Sequence, residues 1–299
     1  PQCPFDINGA GITHETDAAS GLVLHSRSVG AGADAHRQVC AHVVGGDGWQ
    51  MVGDGSRRVY GFGFAPAQGV DEQVMTNGLA AAQFPAPTFT FREGDEVWLA
   101  LTNVGMIFRP DLFDQHSVHW HGFPQASAIF DGVPQGSATV QMGSTFTYYY
   151  KVNDPGTYLW HCHVEATEHM EMGMIGMLNV LPRQDGAAVT DAAVGRAFTK
   201  FAYNDGDGST GYDKAFSLQL VETALPLFEC PFVVAFEGEP RLRLGAPVAE
   251  HAVDVAAQQR GDVDLHRLAA DIVGTDLVAV DRSGLVLRKH DRHFGADPR

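Results

Sequence analysis

Gln115-His116-Ser117-Val118-His119-Trp120-His121 and Tyr158-Leu159-Trp160-His161-Cys162-His163 are the two stretches that decide the fold of this chain. Together with His169 they contain six of the 14 His in 299 residues. Neighbouring side chains of an extended strand point to opposite faces. Strands here would therefore turn His116 and Cys162 inward, and would turn the remaining four His to the other face: His119, His121, His161 and His163. We expect two adjacent metal sites.

The loop after Cys162 offers the other ligands of the inward site. It reads His169-Met170-Glu171-Met172-Gly173-Met174. Two His, one Cys and a weak axial Met are the ligands of a blue, or type 1, copper that transfers electrons. The sequence therefore predicts a type 1 copper held by His116, Cys162, His169 and Met174. Gly173 permits a sharp turn before Met174; Met172 is the competing axial ligand.

Short strands separated by turns run through the first two thirds of the chain, which contains 34 Gly and 15 Pro in total. A hairpin is predicted for residues 88–91 and 97–101 across Glu93-Gly94-Asp95. Further strands are predicted around residues 42–44, 58–62, 140–141, 146–152, 157–161 and 174–180. This spacing predicts an all-β fold, a Greek-key β-sandwich.

The composition is acidic, with 36 Asp and Glu against 20 Lys and Arg and a formal net charge of -16. This balance argues against nucleic-acid binding and favours cationic partners. No apolar run is long enough for a membrane span. The chain opens Pro1-Gln2-Cys3 rather than with Met, which predicts a removed leader and a periplasmic or secreted location. A disulfide between Cys3 and Cys40 fits such a compartment; the alternative is two small buried thiols.

Changes of composition divide the chain into four segments. Residues 1–60, rich in Gly, Ala and Asp, are predicted to be an irregular arm, and residues 61–182 to be the sandwich with both His-rich motifs. Residues 183–197 are predicted to be a linker. Residues 198–299 are predicted to be a diverged or incomplete second domain of β type, in which 271–288 is compatible with a hairpin and 265–272 with a helix.

The motifs resemble those of multicopper oxidases, the laccase-like proteins. The two His-rich stretches match the copper motifs of that family. Phe84-Pro85-Ala86-Pro87-Thr88 with Glu93-Gly94-Asp95 matches the strand that opens its cupredoxin domains, and Phe130-Asp131-Gly132-Val133-Pro134-Gln135 matches its intervening loop. The resemblance covers residues 61–182 and implies a cupredoxin fold. The type 1 His follows Cys162 after a longer loop than in three-domain laccases, where the position of Thr167 would supply it. Such a loop is similar to that of two-domain oxidases with type 1 copper in the first domain and of copper nitrite reductases, and those relatives are trimers.

In this family, a type 1 copper takes electrons singly from a reductant and passes them through the Cys and its flanking His to a copper cluster, where dioxygen is reduced to water. The resemblance implies that His119 is a type 2 copper ligand and that His121, His161 and His163 are type 3 copper ligands. It also implies oxidation of the donor near His169, whose edge usually reaches the surface in the family. Glu165, Glu168 and Glu171 lie close in sequence, and they either attract a cationic donor or are ordinary solvated charges.

A cluster of the family type needs eight His, and this domain offers four. The others form no His-x-His pair: His14, His25, His36, His42, His251, His266, His290 and His293. The first hypothesis is an oxidase that completes its cluster with His from a neighbouring subunit of a homotrimer. The alternatives are a blue-copper electron carrier or copper-binding protein with an incomplete cluster, and a nitrite-reductase-like enzyme with one type 2 copper at His121 and His161. His163 argues against the last, because nitrite reductases lack this His.

Overall fold

The computed structural model describes residues 3–52, 57–69, 71–124, 127–222, 232–236, 278–281 and 284–287. Ten strands form its main body: β1 Thr13–Thr16, β2 Val23–Val29, β3 His36–Val52, β4 Arg57–Pro66, β5 Phe89–Arg92, β6 Glu96–Gly105, β7 His119–His121, β8 Thr145–Lys151, β9 Gly156–His161 and β10 Ile175–Leu181. Two α-helices accompany them, α1 Asp71–Gly78 and α2 Ala166–Glu171. None of the helices in the described part of the chain has the length and apolar character of a membrane span.

The ten strands form two sheets. One sheet has the order β1-β2-β3-β6-β8, with β4 also paired to β3, and the other has the order β5-β10-β9-β7. The pairs β3–β6 and β5–β10 are parallel, and the other pairs are antiparallel. In β5 the burial alternates residue by residue, as expected for a strand with one face in a core. The predicted all-β cupredoxin sandwich is confirmed for this part of the chain.

Aromatic side chains fill the space between the sheets. Trp160 of β9 contacts Phe64 and Phe89, with both pairs of ring centroids 4.6 Å apart. Trp120 of β7 stacks on Tyr150 of β8 at 3.6 Å. All five side chains are buried, and burial of large apolar surfaces is the main stabilising contribution to such a core. The core therefore fixes β7 and β9, the strands that carry the His-rich motifs.

The prediction of an irregular arm over residues 1–60 is wrong, because β1, β2, β3 and the start of β4 lie within it. Strand β3 pairs in parallel with β6 of the sandwich over residues 38–46. The Gly residues of β3 are the reason that the sequence did not indicate a strand here, and they lie against neighbouring segments. A Cβ on Gly46 would lie 2.8 Å from Val104 Cγ2, and one on Gly48 would lie 3.1 Å from Ala82 Cβ. These Gly permit close packing rather than turns.

The predicted hairpin across Glu93-Gly94-Asp95 is also wrong, because β5 and β6 belong to different sheets. The turn between them crosses from one layer of the sandwich to the other. The Asp95 carboxylate accepts the backbone N–H of Arg92 at 2.9 Å and binds the Arg37 guanidinium through two hydrogen bonds of 3.0 and 2.6 Å. A local turn motif does not determine whether the next strand pairs with the preceding one or leaves its sheet.

After β10 the described chain contains shorter strands: β11 Val189–Asp191, β12 Arg196–Phe198, β13 Lys214–Ala215, β14 Leu218–Glu222, β15 Phe232–Phe236, β16 Val278–Asp281 and β17 Gly284–Leu287. The predicted linker therefore contains the antiparallel pair β11–β12 rather than loop alone. The hairpin expected within 271–288 is present as the antiparallel pair β16–β17. The helix considered for 265–272 and the last four His of the chain lie outside the described residues.

The predicted disulfide between Cys3 and Cys40 is confirmed. It joins the segment before β1 to the first part of β3, and the two Cα atoms are 5.8 Å apart. Cys40 is buried, so the N-terminal segment is attached to the outer side of the first sheet at a well-packed position. Among the described residues Cys162 is the free cysteine.

Candidate metal centre

His116, Cys162 and His169 meet in the interior of the sandwich, and each is fully buried. One potential ligand atom of each lies within 4.8 Å of the others. Cys162 Sγ is 3.2 Å from His169 Nδ1, and the His116 and His169 ring centroids are 5.3 Å apart. The structure thus brings together three side chains that are up to 53 positions apart in the sequence.

Each of the three residues is held by backbone hydrogen bonds. His116 forms an isolated bridge with Val140, in which both N–H groups donate, at 3.1 and 2.7 Å. Cys162 directly follows β9, and its N–H donates to Met174 O at 3.1 Å. His169 lies on α2, and its carbonyl accepts the Met174 N–H at 2.8 Å. The short helix therefore returns the chain to the site.

Unpaired polar atoms indicate that this cluster is suited to a metal ion. His116 Nδ1 and Nε2 and His169 Nε2 are buried and have no hydrogen-bond partner. A buried polar atom without a partner is destabilising by about 1–3 kcal/mol. Two imidazoles and a thiol beside them are the donor set that copper prefers. A copper ion fits these residues and would satisfy atoms that the protein itself leaves unpaired.

Burial also sets the protonation of the cluster. Burial raises the pKa of the Cys162 thiol to about 11. The Ser117 N–H, which donates to Sγ at 3.4 Å, has the opposite effect and lowers this pKa. Burial lowers the pKa of His116 to about 3, with His169 contributing, and lowers the pKa of His169 to about 4. The metal-free cluster at neutral pH therefore holds a thiol and two neutral imidazoles. Binding of a metal by the thiolate would release one proton.

Met174 reaches the same cluster. A Cβ built on Gly45 of β3 would lie 3.0 Å from His116 Cδ2 and 3.3 Å from Met174 Cε, so both side chains lie against this Gly. Met174 is fully buried, whereas Met172 is partly buried and packs against the core. The Met172 carbonyl accepts the N–H of Phe62, a residue of β4. Gly173, at φ 121°, makes the turn expected between the two Met.

The four remaining His of the motifs form a second cluster on the other side of Cys162. His119 lies 5.7, 5.2 and 5.1 Å from His121, His161 and His163 between ring centroids. His119 and His161 are directly opposite in the β7–β9 pair. His121 Nδ1 is 3.2 Å from His161 Nε2. Strand alternation predicts this division of His119, His121, His161 and His163 from His116 and Cys162, whereas His169 reaches the first cluster from α2.

Backbone carbonyls select the tautomer of two of these His. His119 Nδ1 is 2.6 Å from Asp131 O, and His161 Nδ1 is 2.8 Å from Cys162 O. A carbonyl only accepts, so each Nδ1 carries the hydrogen and each Nε2 is the unprotonated nitrogen that could bind a metal ion; in His161 this is the atom 3.2 Å from His121 Nδ1. Burial lowers the pKa of His161 to about 4 and also lowers the pKa of His119. Both are therefore neutral at pH 7, as metal ligands must be.

The surroundings of His169 differ from those implied by the family resemblance, in which the edge of this His usually reaches the surface. Its ring edge does not reach the surface, because the side chain is fully buried and Phe62 packs edge-on against it at 5.3 Å. Of the three Glu near it in sequence, Glu165 comes close in space, together with Asp114: one potential ligand atom of each lies within 4.8 Å of His169. Asp114, Phe62 and Gly45 were not predicted from the sequence, because no local motif connects them to the copper ligands.

Comparison with known proteins shows what this region is similar to. Residues 64–185 match the family model described as multicopper oxidase. The chain is 32% identical over 123 residues to Laccase 1 of Metarhizium acridum, which covers 40% of this chain and 18% of that protein. It is 33% identical over 116 residues to the multicopper oxidase MCE of Talaromyces pinophilus, covering 38% and 17%. The chain thus matches less than a fifth of the length of these curated relatives.

Among solved structures, the chain is similar to the blue copper oxidase from Nitrosomonas europaea, with 33% identity and a TM-score of 0.37 over 48% of this chain and 38% of that one. The matched segment 64–185 contains both His-rich motifs and the loop with Met174. Residues 64–185 of this chain are therefore similar to a domain of the multicopper oxidases.

Proposed function

We propose that the chain is a copper-dependent oxidoreductase of the multicopper oxidase type, which takes electrons from a reducing substrate and reduces dioxygen to water. A type 1 copper would be held by His116, Cys162, His169 and Met174. A second group of coppers would be held by His119, as a type 2 ligand, and by His121, His161 and His163, as type 3 ligands. The observation that carries the proposal is that one Cys lies between two clusters of His, one buried and the other open towards the surface at His121.

Copper at these sites would supply one-electron transfer and the reduction of dioxygen. The protein chain connects the two sites. Cys162 is covalently bonded to His161 and His163, which belong to the other cluster, and the His161 Nδ1–H also bonds to the Cys162 carbonyl at 2.8 Å. Ser117 contributes at both ends: its N–H donates to Cys162 Sγ, and its Oγ accepts the His163 N–H at 3.1 Å. The two sites thus share backbone and hydrogen bonds.

The oxygen-reducing cluster needs ligands from a second source. Four of the ten described His belong to neither cluster: His14, His25, His36 and His42 lie on β1, β2 and β3, in the first sheet. His121 is exposed, so the second cluster opens towards the surface. We propose that a homotrimer brings His of a neighbouring subunit to this face. Sedimentation equilibrium should give three times the chain mass, and a monomer that retains oxygen uptake would contradict the shared cluster.

Copper content combined with oxygen consumption tests the activity. The expected result is four coppers per chain, an intense blue absorption and oxygen uptake in the presence of a donor. One copper per chain with a blue colour and no oxygen uptake would instead identify an electron carrier. This is the second candidate, favoured because the motifs supply four rather than eight His to the second cluster. A nitrite-reductase-like reaction is less well supported, because His163 lies 5.1 Å from His119 within the cluster.

The type 1 assignment has a separate test. Replacing Cys162→Ser removes the thiolate and changes little in volume, so the fold should persist while the blue absorption is lost. His36→Ala is the control, because His36 lies on β3 in the other sheet and bonds to Glu96 and Asp34 instead of to either cluster. Blue colour in the Cys162→Ser protein would disprove the assignment.

The electron donor is proposed to be a cation or a small redox partner. Asp114 and Glu165 lie beside His169, and the chain carries a formal charge of -16. Attraction of a cationic donor would weaken as salt is added, since charges at the surface are screened. Oxygen-uptake rates with cationic, neutral and anionic donors at two salt concentrations would identify the class. The disulfide Cys3–Cys40 supports a periplasmic or secreted location.

A further inference from the structure

His14 and His25 form a pair far from both clusters of motif residues. They are direct cross-strand partners in the antiparallel pair β1–β2. Their Nδ1 atoms are 2.7 Å apart and their ring centroids 4.9 Å apart. His14 is exposed and His25 is half-buried. Two ring nitrogens of the same kind therefore point at one another at the surface of the first sheet.

The separation of the two nitrogens is close to that of neighbouring metal ligands. Zn–N bonds of about 2.0–2.1 Å place adjacent ligand nitrogens on the order of 3 Å apart. A small rotation of the exposed His14 ring is enough to open the pair to this distance. The paired strands already hold the two Cα atoms in register, so little conformational entropy would be lost on binding.

The protonation state of His25 also favours the binding of a metal ion. The pKa of His25 is lowered by burial and by its neighbour His14. At neutral pH its imidazole is therefore uncharged, and it can act as a metal ligand. No third His, Cys, Asp or Glu of the described chain joins this pair within ligand distance. Water would complete the coordination, as it does at surface sites with open positions.

We propose that His14 and His25 form a second, exposed metal site that takes a divalent first-row transition ion with a preference for imidazole ligands, such as Zn²⁺ or Cu²⁺. The site is distinct from the copper centre. His25 pairs with Cys40 on β3, and Gly45, which touches His116 and Met174, lies five residues further along this strand. At about 3.3 Å per residue, the two sites are separated by roughly 16 Å along the strand. The proposal does not depend on the proposed oxidase activity.

Calorimetric titration of the full-length, copper-loaded protein with Zn²⁺ alone tests the site. The wild type should bind one equivalent of Zn²⁺ more than His14→Phe or His25→Ala. His14→Phe keeps an aromatic ring next to His25 but removes the ligand, so it separates metal binding from ring packing. His36→Ala is the control and should bind zinc as the wild type does.

Thermal melting supplies a second readout. A metal ion that bridges β1 and β2 in the folded state raises the melting temperature. Zinc should therefore stabilise the wild type and the control more than either variant, with the blue absorption unchanged in all four proteins. Equal zinc stoichiometry and equal melting shifts in the wild type and His14→Phe would overturn the proposal, whether or not the protein reduces oxygen.

Discussion

At the scale of single residues, the candidate copper centre depends on atoms that the fold removes from water without giving them partners. His116 is the extreme case, since both of its ring nitrogens are buried and unbonded. The residue types and the spacing of this site could be predicted from the sequence, because His and Cys ligands occur in compact motifs. The choice between Met172 and Met174 could not be decided there, because it depends on how the turn at Gly173 directs each side chain.

Replacement of each Met by Leu tests this choice. Met174→Leu should keep the blue colour and raise the reduction potential, because loss of a weak axial sulfur ligand disfavours the oxidised copper. Leu is close to Met in volume, so the free energy of unfolding should change by less than about 1.5 kcal/mol. Met172→Leu should leave spectrum and potential unchanged. Redox titration of the blue band distinguishes the two, and a shift in Met172→Leu alone would reverse the assignment.

Gly45 offers a second prediction at this scale. Gly45→Ala would place a methyl group 3.0 Å from His116 Cδ2 and 3.3 Å from Met174 Cε. We expect overpacking to lower the free energy of unfolding by about 1–3 kcal/mol and to alter the blue absorption by displacing one of the two side chains. Gly136→Ala is a suitable control, because a Cβ there meets nothing within 4 Å. Denaturant unfolding and visible spectra give both quantities, and identical results for the two variants would refute the packing argument.

At the scale of elements, the sequence predicted the positions of the strands better than it predicted which strands pair with each other. The strand positions around 146–152, 157–161 and 174–180 were close to β8, β9 and β10, because alternation and turn residues are local signals. The pairing of β5 with β10 rather than with β6 depends on contacts between residues about 90 positions apart. Strand β3 was mostly missed. Its Gly residues allow close packing against neighbouring segments, and the sequence does not reveal which segments these are.

The turn between β5 and β6 is stabilised by a buried ion pair. The side chains of Arg37 and Asp95 are 18% and 3% exposed, and they join β3 to this turn. Asp95→Ala should lower the free energy of unfolding by about 3 kcal/mol, because it leaves the Arg37 charge partly buried without this partner. Asp111→Ala is the matched control: its partner Arg109 is exposed, and the change in the free energy of unfolding should be much smaller. Equal losses in urea unfolding would show that burial is not the cause.

At the scale of the whole molecule, the match to the multicopper oxidase model begins at residue 64, but the first sheet, which lies against the copper ligands, begins earlier. β1, β2 and β3 belong to this sheet, and Gly45 of β3 contacts two of the proposed ligands. We therefore propose that the folding unit includes residues 13–181, so that most of the segment 1–60 belongs to it. Composition suggested a boundary there because the segment is rich in Gly, although three of these residues, Gly45, Gly46 and Gly48, lie within β3.

Removal of the disulfide tests this extended unit. The bridge closes a loop with a sequence separation of 37. A loop of this size is expected to contribute about 2–4 kcal/mol, mainly by restricting the unfolded chain. The double variant Cys3→Ser, Cys40→Ser should therefore unfold at lower denaturant concentration in one transition, with loss of β structure and of blue colour together. Separate transitions for the two signals would show that the N-terminal strands fold independently of the copper domain.

The alternation of side-chain direction around Cys162 restricts the insertions and deletions that a gene for this protein can accept. His161 and His163 face one cluster and Cys162 faces the other because each successive residue reverses direction. A single-codon insertion or deletion between the codons for Trp160 and His163 would exchange these directions and disrupt both clusters in one event. Substitutions in this stretch alter one site at a time, whereas a change of length alters both. We therefore expect a library of single-codon insertions across β9 to yield no blue variants in this interval, although the exposed loop before β8 should accept them.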